Sequence, residues 1–181
     1  MTHGIVIINL GSPTTPSVKD VRSYLKEFLM DKYVIDVPYI LRWIIVNLFI
    51  LPFRPKNSAE AYQKVWTKTG SPLVETSKDF LKKLEPLCKY PVELGMRYGE
   101  PSINTAINNL VSKTKNLKTV HIIPLYPHYA MSSTKTVIEK TKDVINKNFP
   151  QLKLSFQPPF YNEVNYINNL ADSMSPYLKE D

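Results

Sequence analysis

The 181-residue chain carries one cysteine, Cys88, so neither an internal disulfide framework nor a cysteine-based metal cluster can form within it. The plain expectation for Cys88 is a small, buried, apolar residue on a helix. Glycine is also scarce, with five in all and none in the spacing of a dinucleotide fingerprint or a phosphate-cradling Walker loop. No nucleophile elbow and no paired carboxylates appear. The three histidines, His3, His121 and His128, do not stand at metal-ligand spacing. No internal repeat or low-complexity linker divides the chain. Met1-Thr2-His3-Gly4 leads straight into an apolar run with no charged head or cleavage site, which predicts no signal peptide and a cytoplasmic setting.

What is present suits one globular domain able to bury a core: 43% hydrophobic and 22% charged residues. The formal charge of +7 favours anionic partners, but the lysines are spread along predicted helices. No basic–aromatic motif accompanies them, so they read as solvated helix faces and no nucleic-acid partner is expected.

Ile5-Val6-Ile7-Ile8 is an unbroken apolar run, the mark of a strand covered on both faces. Asn9-Leu10-Gly11-Ser12-Pro13 follows as a turn. Ser17 then caps a helix with Val18, Val21, Leu25, Phe28 and Leu29 at helical spacing. Ser58 predicts the cap of a helix reaching Trp66, and Thr76 or Ser77 the cap of another reaching Leu87. A second strand, Pro91–Met96, ends in a polar loop from Arg97 to Ile103, and a helix runs from there to Ser112. Strand Thr119–Ile123, a lysine-rich helix from Ser133 to Asn148, strand Lys153–Phe156 and a helix from Glu163 to about Tyr177 complete the chain. The alternation predicts an α/β fold, doubly wound, with a mainly four-stranded parallel sheet flanked by helices.

One stretch breaks this pattern. Between Val37 and Phe53 only Pro38, Arg42, Asn47 and Pro52 are not hydrophobic. The segment between the two prolines makes a helix of roughly 20 Å, short of the about 30 Å hydrocarbon core of a bilayer. Its apolar residues face nearly every direction, unlike a surface helix. Either another part of the protein covers it, or it is an exposed apolar helical lip against a membrane or an apolar ligand.

Pro124-Leu125-Tyr126-Pro127-His128-Tyr129-Ala130-Met131-Ser132-Ser133-Thr134 joins the carboxyl end of a strand to a helix start, where open α/β sheets place ligands. Its flat aromatic faces and hydroxyl tips suit a large, planar, partly polar ligand. Leu10, Arg97, Tyr98, Tyr126, His128, Ser132, Ser133 and Thr134 are expected on the same edge. His128 is the best candidate base or metal ligand, though a weak one alone. Arg97 either clamps a ligand carboxylate or forms an ion pair at the loop base.

Ile8-Asn9-Leu10-Gly11-Ser12-Pro13, Gly95-Met96-Arg97-Tyr98 and Pro124–Tyr129 with its Ser/Thr tail resemble the ferrochelatase family in order and spacing, as do the lip and Tyr62…Gly70-Ser71-Pro72. The resemblance covers essentially the whole chain. It implies the amino-terminal domain of a two-domain, chelatase-like enzyme whose substrates are Fe2+ and protoporphyrin IX, with no covalent cofactor. Carried over residue by residue, Arg54 would meet a propionate, and Tyr62 and Ser71 would line the macrocycle's surroundings. Leu10 would stand at the metal-entry face, and Arg97 with Tyr98 on the inner wall. The lip would touch the inner face of the cytoplasmic membrane as a peripheral contact.

Three departures accompany the resemblance. The family's histidine sits in a Phe-Ser-x-His-x-x-Pro motif, with an essential acidic residue later still. Neither occurs before the chain stops at Leu178-Lys179-Glu180-Asp181, so a second, histidine-bearing domain is the expected partner and no catalytic residue is expected here. Met131 stands where cluster-binding members have cysteine, so no iron–sulfur cluster is expected. His128 replaces the glutamine of many relatives. Two other readings stay open: a porphyrin- or heme-binding module without catalysis, and a short self-associating chelatase using His128.

Overall fold

Residues 2–178 are described by a computed structural model of the chain; Met1 and the closing residues 179–181, which the expectations above invoke, lie outside them. Strand β1 (His3–Gly11) is extended by the β-branched run that opens the sequence. It is the inner strand between β2 (Val92–Tyr98) and β3 (Thr119–Pro124), and β3 carries β4 (Lys153–Phe156) on its far side. All three pairings are parallel, giving the order β2-β1-β3-β4. The predicted four-stranded, doubly wound sheet is therefore the fold.

Alternation along β1 splits the core in two. Val6 and Ile8 face helices α5 (Ile103–Lys113) and α6 (Thr136–Asn148), where Ile107, Leu110, Val137 and Ile145 are buried with them. Ile7 joins Val92, Leu94 and Met96 on the other side, against Leu81 and Leu84 of α4 (Pro72–Leu84). Fully burying side chains of this size contributes roughly 1.5–3 kcal/mol apiece.

A third cluster lies beside the sheet. Helix α1 (Val18–Leu29) is capped by Ser17 as predicted, the side chain accepting from the Asp20 amide. Its Val21, Leu25 and Leu29 pack with Val46 and Leu51 of the lip and Ala59 of α3 (Arg54–Val65). The lip is one α-helical turn and a half, α2 (Tyr39–Ile44), continued by a wider π-helical stretch, Ile45–Ile50. Arg42, buried within it, donates from Nη1 to the carbonyls of Ile35 (3.2 Å) and Val37 (2.9 Å) and ties the lip to its own entry. Helix α7 (Val164–Met174) follows β4 and presents Val164, Ile167, Leu170 and Met174 to solvent. Among the described residues no helix is long and apolar enough to cross a membrane.

Several local expectations are corrected. Helix α3 starts at Arg54, not Ser58, because Pro55 is preset for the first helical turn. Helix α4 starts at Pro72 for the same reason; Ser77 lies inside it, donating to the Leu73 carbonyl at 2.7 Å. Arg97 and Tyr98 are the end of β2 rather than loop, held extended by the Gly11–Tyr98 pairing. Cys88 is half-buried after the short 3₁₀ turn Glu85–Leu87, not on a helix. A π-helical turn, Met131–Lys135, precedes α6 where a helix was expected from Ser133.

Candidate functional site

The carboxyl ends of β1, β2 and β3 bring four of the expected residues together around one that sequence reasoning passed over, Tyr24. Helix α1 carries Tyr24 against the sheet edge, where its hydroxyl donates to the Gly11 carbonyl at 3.3 Å. Tyr62 from α3 and Tyr98 from β2 each meet the Tyr24 ring edge-on, with centroids 6.4 Å away. Phe28, one turn on from Tyr24, meets the Tyr98 ring at 5.1 Å. Burial pushes the Tyr24, Tyr62, Tyr98 and Tyr126 phenols up, so each keeps its proton at neutral pH and is a donor rather than a base. The Tyr126 and Ser12 hydroxyls are buried with no hydrogen-bond partner among the described residues. Leu10, next to Gly11, is half-buried at this same strand end.

Gly11 makes the edge tight. Its φ is +99°, and a Cβ there would stand 1.8 Å from the Tyr98 carbonyl oxygen, so only glycine lets β1 leave the sheet against β2.

Beneath the aromatic rings lies a charged knot. Asp31, just past α1, receives the Arg97 guanidinium and the Thr136 hydroxyl on Oδ2, both in short contacts, and the Tyr98 hydroxyl on the same oxygen at 2.9 Å. Its Oδ1 accepts from the Tyr33 amide at 2.8 Å. Arg97 Nε donates to Thr136 Oγ1 at 2.7 Å, and the guanidinium lies over the Tyr98 ring, 4.2 Å from its centroid. The Asp31 and Arg97 side chains are only 5% and 10% exposed. Burial by itself would raise the Asp31 carboxyl; hydrogen bonds from Thr136 and the Tyr33 amide, the Arg97 charge and the Tyr98 hydroxyl outweigh it and hold the group below the ordinary carboxylate range. Of the two readings of Arg97, the ion pair is present, with Asp31 as its partner.

The remaining expected residues lie around this centre. Arg54 is exposed at the start of α3, two helical turns before Tyr62, roughly 12 Å along the axis. It forms no ion pair among the described residues. Tyr62 lines a shallow apolar groove of about 260 Å³ with Ser58, Ala61 and Val65. Ser71 is buried at the amino end of α4, without a side-chain capping bond. Beside that helix, Asn9, Leu73, Ser77, Phe80 and Leu125 line an open apolar hollow of about 300 Å³, with Asn9 donating to Ser77 Oγ at 3.1 Å. His128 is not in the tyrosine cluster. It is exposed and stacks on Tyr161, with centroids 5.2 Å apart and planes 15° apart, where the loops after β3 and β4 meet. Ser132 is exposed, Ser133 half-buried, and Thr134 buried with its hydroxyl on the His128 carbonyl at 3.2 Å. Among the described residues no His, Cys, Asp and Glu side chains cluster closely enough to hold a metal ion.

This edge offers an aromatic wall of edge-to-face rings, the Asp31–Arg97 ion pair beneath them and the exposed Arg54 at its rim, flanked by an apolar lip. Tyr39, Ile40, Leu48, Phe49 and Phe53 of the lip region are all exposed. The chain as a whole is similar in sequence to known proteins. The family profile described as Ferrochelatase matches residues 2–181. Curated proteins named Ferrochelatase from Pseudomonas syringae pv. tomato (strain ATCC BAA-871 / DC3000) and Stutzerimonas stutzeri (strain A1501) are each 43% identical over 98% of this chain and 52% of their own length. One from Pseudomonas fluorescens (strain SBW25) is 42% identical over 99% of this chain and 52% of its own. The chain spans about half the length of the curated relatives it matches.

Proposed function

The chain belongs to the ferrochelatase family, and on that premise we propose that it is the porphyrin-binding half of a lyase that inserts ferrous iron into protoporphyrin IX in heme biosynthesis. The observation that carries this reading is the convergence of Tyr62 of α3 and Tyr98 and Tyr126 of the sheet edge around Tyr24, with Arg97 over the Tyr98 ring. Metal insertion removes two pyrrole protons and admits a metal ion to the ring centre, so the ring must be held while a base works on one face. Here Tyr62 and the apolar lip meet the macrocycle and exclude water, backed by the buried rings of Tyr24 and Tyr98. The buried phenols stay protonated, Tyr24 donating to the Gly11 carbonyl and Tyr98 to Asp31. Arg97 is matched by Asp31 and supplies no net charge. Arg54, exposed at the rim, holds a propionate.

The base and the metal-delivering group belong, in this reading, to a second domain that carries the family's histidine motif. The exposed stripe of Val164, Ile167, Leu170 and Met174 on α7 is the surface on which that domain packs. Titration with a dicarboxylate porphyrin, followed by fluorescence quenching, tests the ligand. Arg54→Ala should weaken binding about tenfold, equivalent to ~1.4 kcal/mol. Absence of binding by the unaltered chain would sink the proposal.

The lip supports a peripheral membrane contact on the cytoplasmic face, through which an apolar porphyrin reaches the site without crossing water. Ile40 is 74% and Phe49 67% exposed, whereas Val46 and Leu51 are buried against α1 and α3, so the lip has one docked and one free apolar face. Burying even two of the free side chains in lipid contributes about 3–6 kcal/mol. Flotation with anionic liposomes at low salt should carry the chain upward, and an Ile40→Glu, Phe49→Glu double variant should stay behind. If both remain in the soluble fraction while folded, the membrane contact is wrong.

A further inference from the structure

Asp31 is the buried meeting point of three elements that reach it from far apart in sequence: the end of α1, the end of β2 through Arg97 and Tyr98, and the start of α6 through Thr136. Three donors converge on its Oδ2, and Thr136 Oγ1 closes a ring by accepting from Arg97 Nε while donating to Asp31. A guanidinium bonded through both Nε and Nη2 along one edge and lying over an aromatic face is held in one orientation. We propose that Asp31 is the positioning residue of the inner wall: it fixes Arg97 and Tyr98 in a single arrangement and, by matching the guanidinium charge, denies that cation to ligand carboxylates. The second half of this statement rests on the porphyrin reading above; the first half does not.

The consequence is a division of labour between the two arginines. Arg54 is exposed and unpaired among the described residues, whereas Arg97 is neutralised at the floor. A macrocycle with its acids on one edge fits, with those acids at the Arg54 rim and its apolar edge on the wall. A macrocycle carrying acids on all sides must also set a carboxylate against the wall, where the Arg97 guanidinium is already matched by Asp31.

Two measurements on the whole chain test this. In ¹⁵N spectra, the Arg97 guanidinium of the unaltered chain should show separate, slowly exchanging Nη resonances, assigned by their loss in Arg97→Lys. Asp31→Asn should merge or broaden them, and Thr136→Val should speed their exchange while keeping them separate. A freely rotating guanidinium in the unaltered chain overturns the positioning role, even if Asp31→Asn does not fold. So does an Asp31→Asn chain whose guanidinium stays fixed. In parallel, dicarboxylate and tetracarboxylate porphyrins are titrated. The unaltered chain should prefer the dicarboxylate at least tenfold, and Asp31→Asn should cut that preference to threefold or less. An unchanged preference with a mobile Arg97 overturns the charge-denial half. Failure of every chain to bind either porphyrin overturns the porphyrin reading and that half with it, while the spectra still decide the positioning role.

Discussion

Asp31→Ala is expected to lower the free energy of unfolding by about 3–5 kcal/mol, because it strands the Arg97 charge in a buried setting and leaves the Tyr98 and Thr136 hydroxyls without their acceptor. In urea the midpoint should fall with little change in slope. Replacing both charges at once, as in Asp31→Leu with Arg97→Met, should cost less than Asp31→Ala alone, since the unmatched charge is removed with its partner. The pH dependence has a definite sign. The folded-state carboxyl titrates below its ordinary value of 3.8, so the unfolded chain binds more protons in that range. The stabilisation is fully present above that value and fades as pH falls through the lower folded-state value. The stability gap between the unaltered chain and Asp31→Asn should therefore hold steady from about pH 5 to 7 and narrow below about pH 4. A gap that stays constant down to about pH 2 would show that the carboxylate does not titrate with folding.

Gly11→Ala should be at least as damaging, costing above about 4 kcal/mol or preventing folding. The new methyl group would meet a backbone oxygen of β2 rather than a yielding side chain, and the backbone there has φ +99°. Gly70 provides the control. Its φ is +136°, but the atoms nearest an added Cβ belong to the flexible Glu75 side chain, the first at 3.5 Å. Gly70→Ala should cost backbone strain alone, about 1–3 kcal/mol. Equal losses in the two variants, measured by urea unfolding and soluble yield, would show that the junction of β1 and β2 has room to move.

The sheet was legible because its strands announce themselves locally. Ile5–Ile8 reads as a doubly covered strand, and Lys153–Phe156 matches the observed β4 end to end. Ser17 was legible as a cap because its partner is three residues away. The charged knot was not, because Asp31 meets Arg97 and Thr136 only after the chain folds, and an aspartate between a helix and a loop looks like ordinary surface. Tyr24 was hidden for a related reason: the apolar stripe of α1 was read from Val21, Leu25 and Leu29, and a phenol beside it carries no signal of which neighbour it faces. Arg97 and Tyr98 were set in a loop by the Gly99-Glu100-Pro101 turn signal that follows them, which the pairing with Gly11 overrides. The wide helical turns at Ile45–Ile50 and Met131–Lys135 differ from ordinary helix by one residue of register, which no side-chain pattern here betrays.

The position of β1 inside the sheet also governs how the chain must come off the ribosome. Ile5 pairs with Val92 on one side and His121 on the other. Translation at roughly 5–20 residues per second leaves this strand without its first partner for at least about 4 s and without its second for about 6 s or more. During that interval Ile5-Val6-Ile7-Ile8 is a sticky ribbon with two open edges, and the elements made meanwhile, from α1 through the lip to α4, are helices and bring it no strand to pair with. Assembly of the sheet is thus a late, long-range event, and the interval before it is when a nascent chain of this topology depends most on being sheltered from its own copies.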